Sequence, residues 1–522
     1  MIIRQEFFSK LIFCIEQSCP VNTATWQGTH LWPFYRIALM SIVNQIDYAP
    51  YCRNIENKYD QICPKPPADC DAHEVAPQPG RASDVGGGVH LFYGSEDDHF
   101  LTTPDGWAAP VIDAWVDLAA DMGGALKVEF LRPDAVQHRV RTTAMIPLPP
   151  RDDIAACGRE LRDDADFQAA ARALDQMVAA AAESWAPGLA SALAFSFTPF
   201  FAEILVRKRV TDRLLDSLRP SSASVVCWYS IPQSALVWAC NARGIPTIEI
   251  LHCGAPEFHH GYSHLSAVPP DGYHALPRTF LCWDHPSANA IMRWIPPGSR
   301  AAHRATAGGL PPRLPAGRGR APGGAAAAEL DRLLTAGTYA KRILVGLGGD
   351  EPSGFVPAFV DIIRHAPRDW LWLIRSHPLH PVCVAPNIRP DQVRAILAEH
   401  GIGNCDTDLA TACPLPEVLS RVDHHLTVMS TLAFDAFHYG VPTTFVGSMA
   451  PALYGWLRDR RVAYFEHDPA AVVASVEDGL RRLDAARFKT LSRSEDPGAS
   501  RRAFLDAARP QPLAGVSAMS RC

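Results

Sequence analysis

Several things are missing from this sequence, and each absence removes a class of explanation. Fourteen cysteines are spread over 522 residues without a single CxxC pair. That distribution fits neither paired zinc ligands nor a dense disulfide framework; reduced thiols in a cytoplasmic protein fit it better. The cluster Cys52, Cys63, Cys70 and His73 matches no common zinc spacing, and no metal site is expected. Excess positive charge is absent too. A formal net charge of −6 argues against a surface that coats nucleic acid. No run of about 18 apolar residues is read, so no transmembrane helix is expected. The apolar stretch 7–15 is short, interrupted by Lys10 and without a small-residue cleavage site, so no signal peptide is expected either.

What is present is ordinary globular composition, 48% apolar and 20% charged, at a length that gives a prior of roughly three domains or two large ones. Residues 1–84 read as an irregular, aromatic-rich cap (Trp26, Trp32, Phe34, Tyr35) with a Pro/Gly linker. Strand-and-helix signals run from 85 to 298. Composition then shifts to Pro, Gly, Ala and Arg over 299–338, a connector. A second α/β pattern occupies 339–485, and 486–522 reads as a tail with a short helix.

Chemistry-bearing residues gather at the ends of apolar runs. The run 89–93 leads into Glu96, Asp97 and Asp98, with Asp105 in the next turn. In an open α/β sheet such a loop faces the ligand crevice, and a carboxylate there can act as a general base. The strand 246–251 ends in His252-Cys253-Gly254. The run 342–346 ends in a Gly-rich turn containing Gly348 and Gly349, which is not a GxGxxG fingerprint. The run 370–374 is followed by Arg375, Ser376, His377 and Pro378. Arg375 offers a planar fork of donors, and Pro378 holds His377 extended.

One stretch, 422–447, reads as strand, turn, helix, turn, strand. Leu426 to Met429 form the apolar run, bounded by the polar pair His424 and His425. Ser430 and Thr431 are placed to cap a helix over 432–439, Gly440 to end it with a positive φ, and Pro442 to block continuation. A hydroxyl pair at a helix N-terminus suits an anion such as a phosphate, with Asp435 one turn on for a sugar hydroxyl.

With Arg375-x-His377-Pro378, Ser430-Thr431, Asp435, Gly440-x-Pro442 and His252-x-Gly254 in view, residues 85–485 resemble the GT-B glycosyltransferases. The closer likeness is to bacterial capsule and lipopolysaccharide transferases carrying a His-Pro motif, of Kdo- or sialyltransferase type. The resemblance implies an α/β fold of two Rossmann-like domains facing a cleft, with an irregular N-terminal extension. It implies that Gly348, Gly349, Arg375, His377, Pro378, Ser430, Thr431 and Asp435 hold a nucleotide-sugar, a CMP-sugar favoured over UDP or GDP. Asp97, Asp98, Asp105 and His252 are the catalytic candidates, and no separate cofactor or metal is implied. The acceptor would be a glycan or lipid-linked glycan, handled in the cytoplasm or peripherally at the inner membrane, alone or in a polysaccharide assembly complex. A sugar-nucleotide epimerase, a polyol-phosphate transferase or a non-catalytic nucleotide-sugar-binding protein are the alternatives.

Overall fold

Short apolar runs become parallel strands where a helix follows each of them and covers one face of the sheet. The computed structural model describes residues 4–63, 88–94, 101–103, 106–121, 123–131, 144–252, 259–309, 325–347, 357–376, 390–447, 450–459, 463–482 and 497–509. The chain divides into two units. The first combines Met1–Asp98, Ala109–Pro312 and Gly498–Cys522; the second combines His99–Ala108 with Arg313–Pro497.

Unit 1 carries strands β1 (His90–Gly94), β2 (Ala125–Leu131), β3 (Ala144–Pro147), β4 (Ser222–Val225), β5 (Thr247–Ile250), β6 (Thr279–Cys282) and β7 (Arg304–Ala307). All pair in parallel, in the order β3-β2-β1-β4-β5-β6-β7. The order reverses between β1 and β4, the switch point beside which open α/β sheets bind ligands. Phe92, Trp115, Ile248, Ile250 and Leu281 pack on one face. The C-terminal helix Pro497–Ala507, expected within a tail, completes that core: the Phe504 ring stacks 5.6 Å from Trp115 and 5.9 Å from Phe92.

Among the described residues the cap, read as irregular apart from one helix ending near Ile46, contains three α-helices: α1 (Arg4–Ser18), α2 (Trp32–Val43), which is that helix, and α3 (Cys52–Ile62). Apolar side chains such as Phe7, Leu11, Phe34 and Leu39 are buried, and burial of that surface organises α1 and α3, which the sequence reading did not announce. Further on lie α4 (Pro110–Ala120), α5 (Arg151–Asp163), α6 (Ala165–Trp185), α7 (Phe197–Leu218) and α8 (Ile231–Asn241). The stretch Leu189–Leu218 is long and apolar enough to cross a membrane by length and composition, contrary to the sequence reading. It is broken before Phe197, and Phe197, Phe201, Ile204 and Leu205 are buried in unit 1. Pro232 stands in the first turn of α8, and Gly244 (φ +69°) follows its end.

Unit 2 carries β8 (Lys341–Gly346), β9 (Trp370–Arg375), β10 (Cys405–Asp406), β11 (His424–Thr427), β12 (Thr443–Phe445) and β13 (Ala463–Phe465). These too are all parallel, ordered β10-β9-β8-β11-β12-β13. Counted from β8 this is 3-2-1-4-5-6, the dinucleotide-fold order. Ile343, Val345, Trp372 and Ile374 pack on one face, Leu344, Leu371 and Leu373 on the other. The strands are buried on both sides, which is why they read as continuous apolar runs. The expectation of two Rossmann-like domains holds in both units.

Candidate functional site

In unit 2 the sheet reverses between β8 and β11, and the carboxyl ends of these strands meet the 428–431 turn. Thr427 Oγ1 donates to the Gly346 carbonyl at 2.8 Å and accepts the Ser430 N–H at 3.1 Å. Ser430 Oγ in turn accepts the Leu432 N–H at 3.2 Å. The turn is therefore fixed by hydroxyls before any ligand arrives. The helix that follows, Leu432–His438, ends as expected at Gly440 (φ +76°), with the Val441 N–H bonded to the Ala436 carbonyl at 2.8 Å. Thr431, expected to share the capping, is already helical (φ −63°, ψ −10°) and its side chain makes no cap.

Two expectations change here. His424 and His425 do not border the strand; they lie within it, fully buried. Each is paired to a hydroxyl of β12, His424 Nε2 with Thr444 Oγ1 at 2.8 Å and His425 Nδ1 with Thr443 Oγ1 at 3.1 Å. Burial pushes both imidazoles down to about 3, so they are neutral at physiological pH.

Arg375 is the second. A fork open to a phosphate was expected. Instead the side chain is buried, and Nη1 donates to the carbonyls of Ala410, Thr411 and Cys413 at 2.5, 3.3 and 2.7 Å. These carbonyls belong to the short helix Leu409–Ala412 and its end, whose last carbonyls have no partners within the helix. Burial lowers the guanidinium to about 10, opposed by Cys413 and Asp435. Asp435 is thus close enough to act on Arg375 electrostatically, which brings two of the expected residues together. Arg375 and Ser430 are not on adjacent strands, since β8 separates β9 from β11; they share the carboxyl edge of one sheet.

Unit 1 concentrates titratable groups at the carboxyl ends of β4 and β5. Cys227, in the turn between β4 and α8, has φ +59°, a left-handed conformation that costs a non-glycine residue roughly 1–2 kcal/mol. Glu249 on β5 holds the strained turn: its carboxylate accepts the N–H groups of Cys227 and Trp228, both at 3.0 Å, and the Tyr262 hydroxyl at 2.7 Å. The side chain is wholly buried, and burial raises it to about 8 against the pull of Tyr262, His252 and the two N–H groups.

His252, expected at this edge, lies beside the thiol, Nδ1 to Cys227 Sγ at 3.7 Å, and the Tyr229 hydroxyl donates to the same sulfur at 3.4 Å. His259 stacks on Tyr262 at 4.4 Å and on His260 at 4.6 Å. Burial holds His259 well below the usual imidazole range and takes His260 down to about 3. A Cβ on Gly261 would stand 2.2 Å from the Tyr229 ring, so only glycine lets this loop close over the cluster. A second buried set lies where β1 ends. Lys127 on β2 bridges Asp113 of α4 at 2.6 Å and Glu129 at 2.9 Å, beneath Gly94.

The cap reaches this edge. Arg36 of α2 is buried and donates to the carbonyls of His260, Ser263 and His264 at 3.0, 2.5 and 2.6 Å, and to Glu16 at 3.1 Å. Glu16 accepts the N–H groups of Ser266 and Ala267. The first helices thereby fix the loop that carries His259 and His260.

Sequence reading missed Cys227, Glu249, His259, His260, Tyr262 and the Lys127 set. Its available signal was a carboxylate inside a buried run, as in Thr247-Ile248-Glu249-Ile250, and an alternating Lys127-x-Glu129. Asp97, Asp98, Asp105, Gly348, Gly349, His377 and Pro378 lie outside the described residues, as do Cys70 and His73. Among the described residues no group of three or more His, Cys, Asp or Glu is placed to hold a metal ion.

No family model and no curated protein matches this chain. Among solved structures it is similar to UDP-GlcNAc 2-epimerase from Neisseria meningitidis bound to UDP-GlcNAc, at 12% identity and TM-score 0.43, covering 80% of this chain and 100% of that one. It is similar to a ugt transferase from Siraitia grosvenorii in complex with UDP, at 12% identity and TM-score 0.46, covering 80% and 99%. A third is UGT89C1 of Arabidopsis thaliana complexed with UDP, at 13% identity and TM-score 0.47, covering 81% and 98%. Identities of this order do not transfer an activity to this chain.

Proposed function

We propose that the protein is a nucleotide-sugar-dependent glycosyltransferase of bacterial surface-polysaccharide synthesis, of the Kdo- or sialyltransferase-like kind, working without a divalent metal. The observation that carries the reading is unit 2: six parallel strands in the order 3-2-1-4-5-6, with Gly346, Thr427 and Ser430 at the switch point. In this proposal the 428–431 turn, Gly348, Gly349, His377 and Pro378 hold the donor phosphate, and Asp435 takes a ribose hydroxyl. Arg375 acts through the 410–413 segment that it clamps, as a positioning residue.

The candidate bases of the proposed reaction are Asp97 and Asp98, in the sequence grouped with unit 1, and Asp105, in the 99–108 stretch grouped with unit 2. One of Asp97, Asp98 or Asp105 deprotonates an acceptor hydroxyl, whose oxygen attacks the anomeric carbon as the bond to the nucleotide phosphate breaks. Donors fixed in advance around that phosphate stabilise its developing charge, on the order of 3 kcal/mol for each donor. His252 is assigned to the same edge. A CMP-sugar donor, a glycan or lipid-linked acceptor, and a cytoplasmic site of action, peripheral at the inner membrane, belong to the proposal through the resemblance of the motifs.

Calorimetry with CMP, UDP and GDP on the full chain, repeated on His377→Ala, tests the donor site. One nucleotide is expected to bind and to lose affinity in the variant without loss of fold; unchanged affinity removes the phosphate assignment. Product analysis decides the chemistry. A free epimerised nucleotide-sugar would replace the transferase with an epimerase, and nucleotide binding without turnover would make the chain a binding partner.

A further inference from the structure

Apart from the strand-edge cluster, unit 1 holds a cavity of about 540 Å3 between α6 and the segment 194–198 that opens α7. Small-molecule pockets fall in the range of roughly 300–1,000 Å3. Gln168, Arg172 and Asp175 are spaced i, i+4, i+7 on α6, which stacks them along one helix face toward the cavity. Phe195, Ser196 and Thr198 line the facing wall.

This wall is fixed from behind. Tyr35 of α2 donates its hydroxyl to Asp175 Oδ1 at 2.7 Å, and its ring lies 4.9 Å from that of Phe195. The Gln168 amide donates to the Leu161 carbonyl at 3.0 Å and to Thr198 Oγ1 at 3.4 Å. Phe195 is half-buried beside Tyr35, Arg172 is exposed, and the Asp175 carboxylate is pinned by the Tyr35 hydroxyl, so an aromatic ring, a guanidinium and a carboxylate line one cavity.

We propose that this cavity is a saccharide-binding subsite, taking a pyranose ring against Phe195 and its hydroxyls between Asp175, Arg172 and Gln168. The lining selects that chemistry in three ways. A polyhydroxyl ligand needs donors and acceptors side by side, and here Arg172 donates, Asp175 and the Gln168 Oε1 accept, and the Ser196 and Thr198 hydroxyls do both. One cation and one anion leave the lining without net charge, which disfavours a phosphate or another dense anion. The aromatic ring offers an apolar surface to the C–H face of a sugar, where an extended polar peptide would gain nothing. The assignment does not depend on nucleotide binding in unit 2. The cavity and the histidine loop nevertheless share a support, since adjacent residues of α2 serve them: Tyr35 holds Asp175, and Arg36 holds the 260–264 carbonyls.

The test is saturation-transfer NMR and calorimetry on the full chain with methyl β-glucopyranoside, methyl β-galactopyranoside, N-acetylglucosamine, methyl β-glucuronide and inorganic phosphate. At least one saccharide is expected to bind with a Kd near or below about 10 mM, with affinity reduced about tenfold in Phe195→Ala and in Arg172→Ala. CMP and UDP titrations should be the same in wild type and variants. The proposal is overturned if no saccharide binds, if saccharide binding ignores both substitutions, or if phosphate alone binds. Should Phe195→Ala fail to fold, hydrogen exchange of the wild type decides: saccharide must slow the amides of 168–175 and 194–198, and no protection overturns the assignment. Saccharide binding without any nucleotide binding would sink the transferase reading and leave the cavity's role standing.

Discussion

Replacing Glu249 by Gln should change how stability depends on pH more than it changes stability at any one pH. The carboxyl is raised from 4.5 to about 8 by burial. An acid whose folded pKa lies above its unfolded value keeps its proton in the native state while the unfolded chain has released it. Its contribution is fully present below about 4.5 and declines as pH rises through that window, at up to about 1.4 kcal/mol per unit. Between about pH 5.5 and about pH 7.5 the two titration curves give a loss on the order of 2 kcal/mol. Glutamine cannot titrate, so the stability difference between wild type and Glu249→Gln should shrink by that amount across the interval. The buried histidines run the other way: His259 and His260 are lowered, so their contribution is lost as pH falls below 6.5. They are present in both proteins and largely cancel in the difference. Glutamine offers only one acceptor where Glu249 has two, so one of the Cys227 and Trp228 N–H groups loses its partner, costing about 1–3 kcal/mol at the acid end. Urea unfolding of both proteins in matched buffers reads the difference directly. A gap that stays constant from acid to neutral pH would refute the argument, because it would mean that Glu249 is ionised in both states.

Other substitutions probe the remaining scaffolds. Gly346→Ala would place a Cβ 2.8 Å from His425 Nε2 at the unit 2 switch point; a loss of roughly 1–3 kcal/mol is expected in denaturant titration, and an unperturbed midpoint would contradict the packing. Arg375→Ala should lower the melting temperature, because the carbonyls of Ala410 and Cys413 lose their donor, with a cost of roughly 3 kcal/mol. Wild-type stability with reduced nucleotide affinity would restore the phosphate-fork expectation. Arg36→Met leaves Glu16 buried beside Trp32 without its cation and should cost roughly 3–5 kcal/mol. Adding Glu16→Leu should recover part of the loss, and a double variant no better than the single one would show that the pair does not act as a unit.

Which features could be read from the sequence follows from how far each one's partners lie along the chain. Strands covered on both faces announced themselves because they must be apolar throughout, as in Trp370–Arg375. By contrast, Ala125–Leu131 and Ala144–Pro147 were not read, and Arg304–Ala307, a sheet strand, lies inside the stretch 299–338 read as a connector. Gly440 announced a helix end because positive φ is a local demand. Arg375 was misread for the opposite reason. Its identity says that it donates, but its acceptors are carbonyls 35 to 38 residues later, and nothing local tells a phosphate from a helix end.

The same blindness made His424 and His425 look like the polar edge of a strand, when hydroxyls 18 and 20 residues away make them part of its core. The unit 1 cluster needs more distant partners still. Cys227 meets Glu249 and His252 across 22 and 25 residues, and the loop beside them is held by Arg36 from more than 220 residues earlier. A backbone as strained as that at Cys227 persists only where its surroundings overdetermine it. Here the restraint is distributed among Glu249, Tyr262 and the α2 clamp. Residues so widely separated in sequence are therefore tied to one condition, the closure of the 259–267 loop. Loosening the cap at Arg36 should disturb the thiol at Cys227 before it disturbs the sheet, and alkylation of Cys227 measured alongside exchange of the β4 and β5 amides would order the two events.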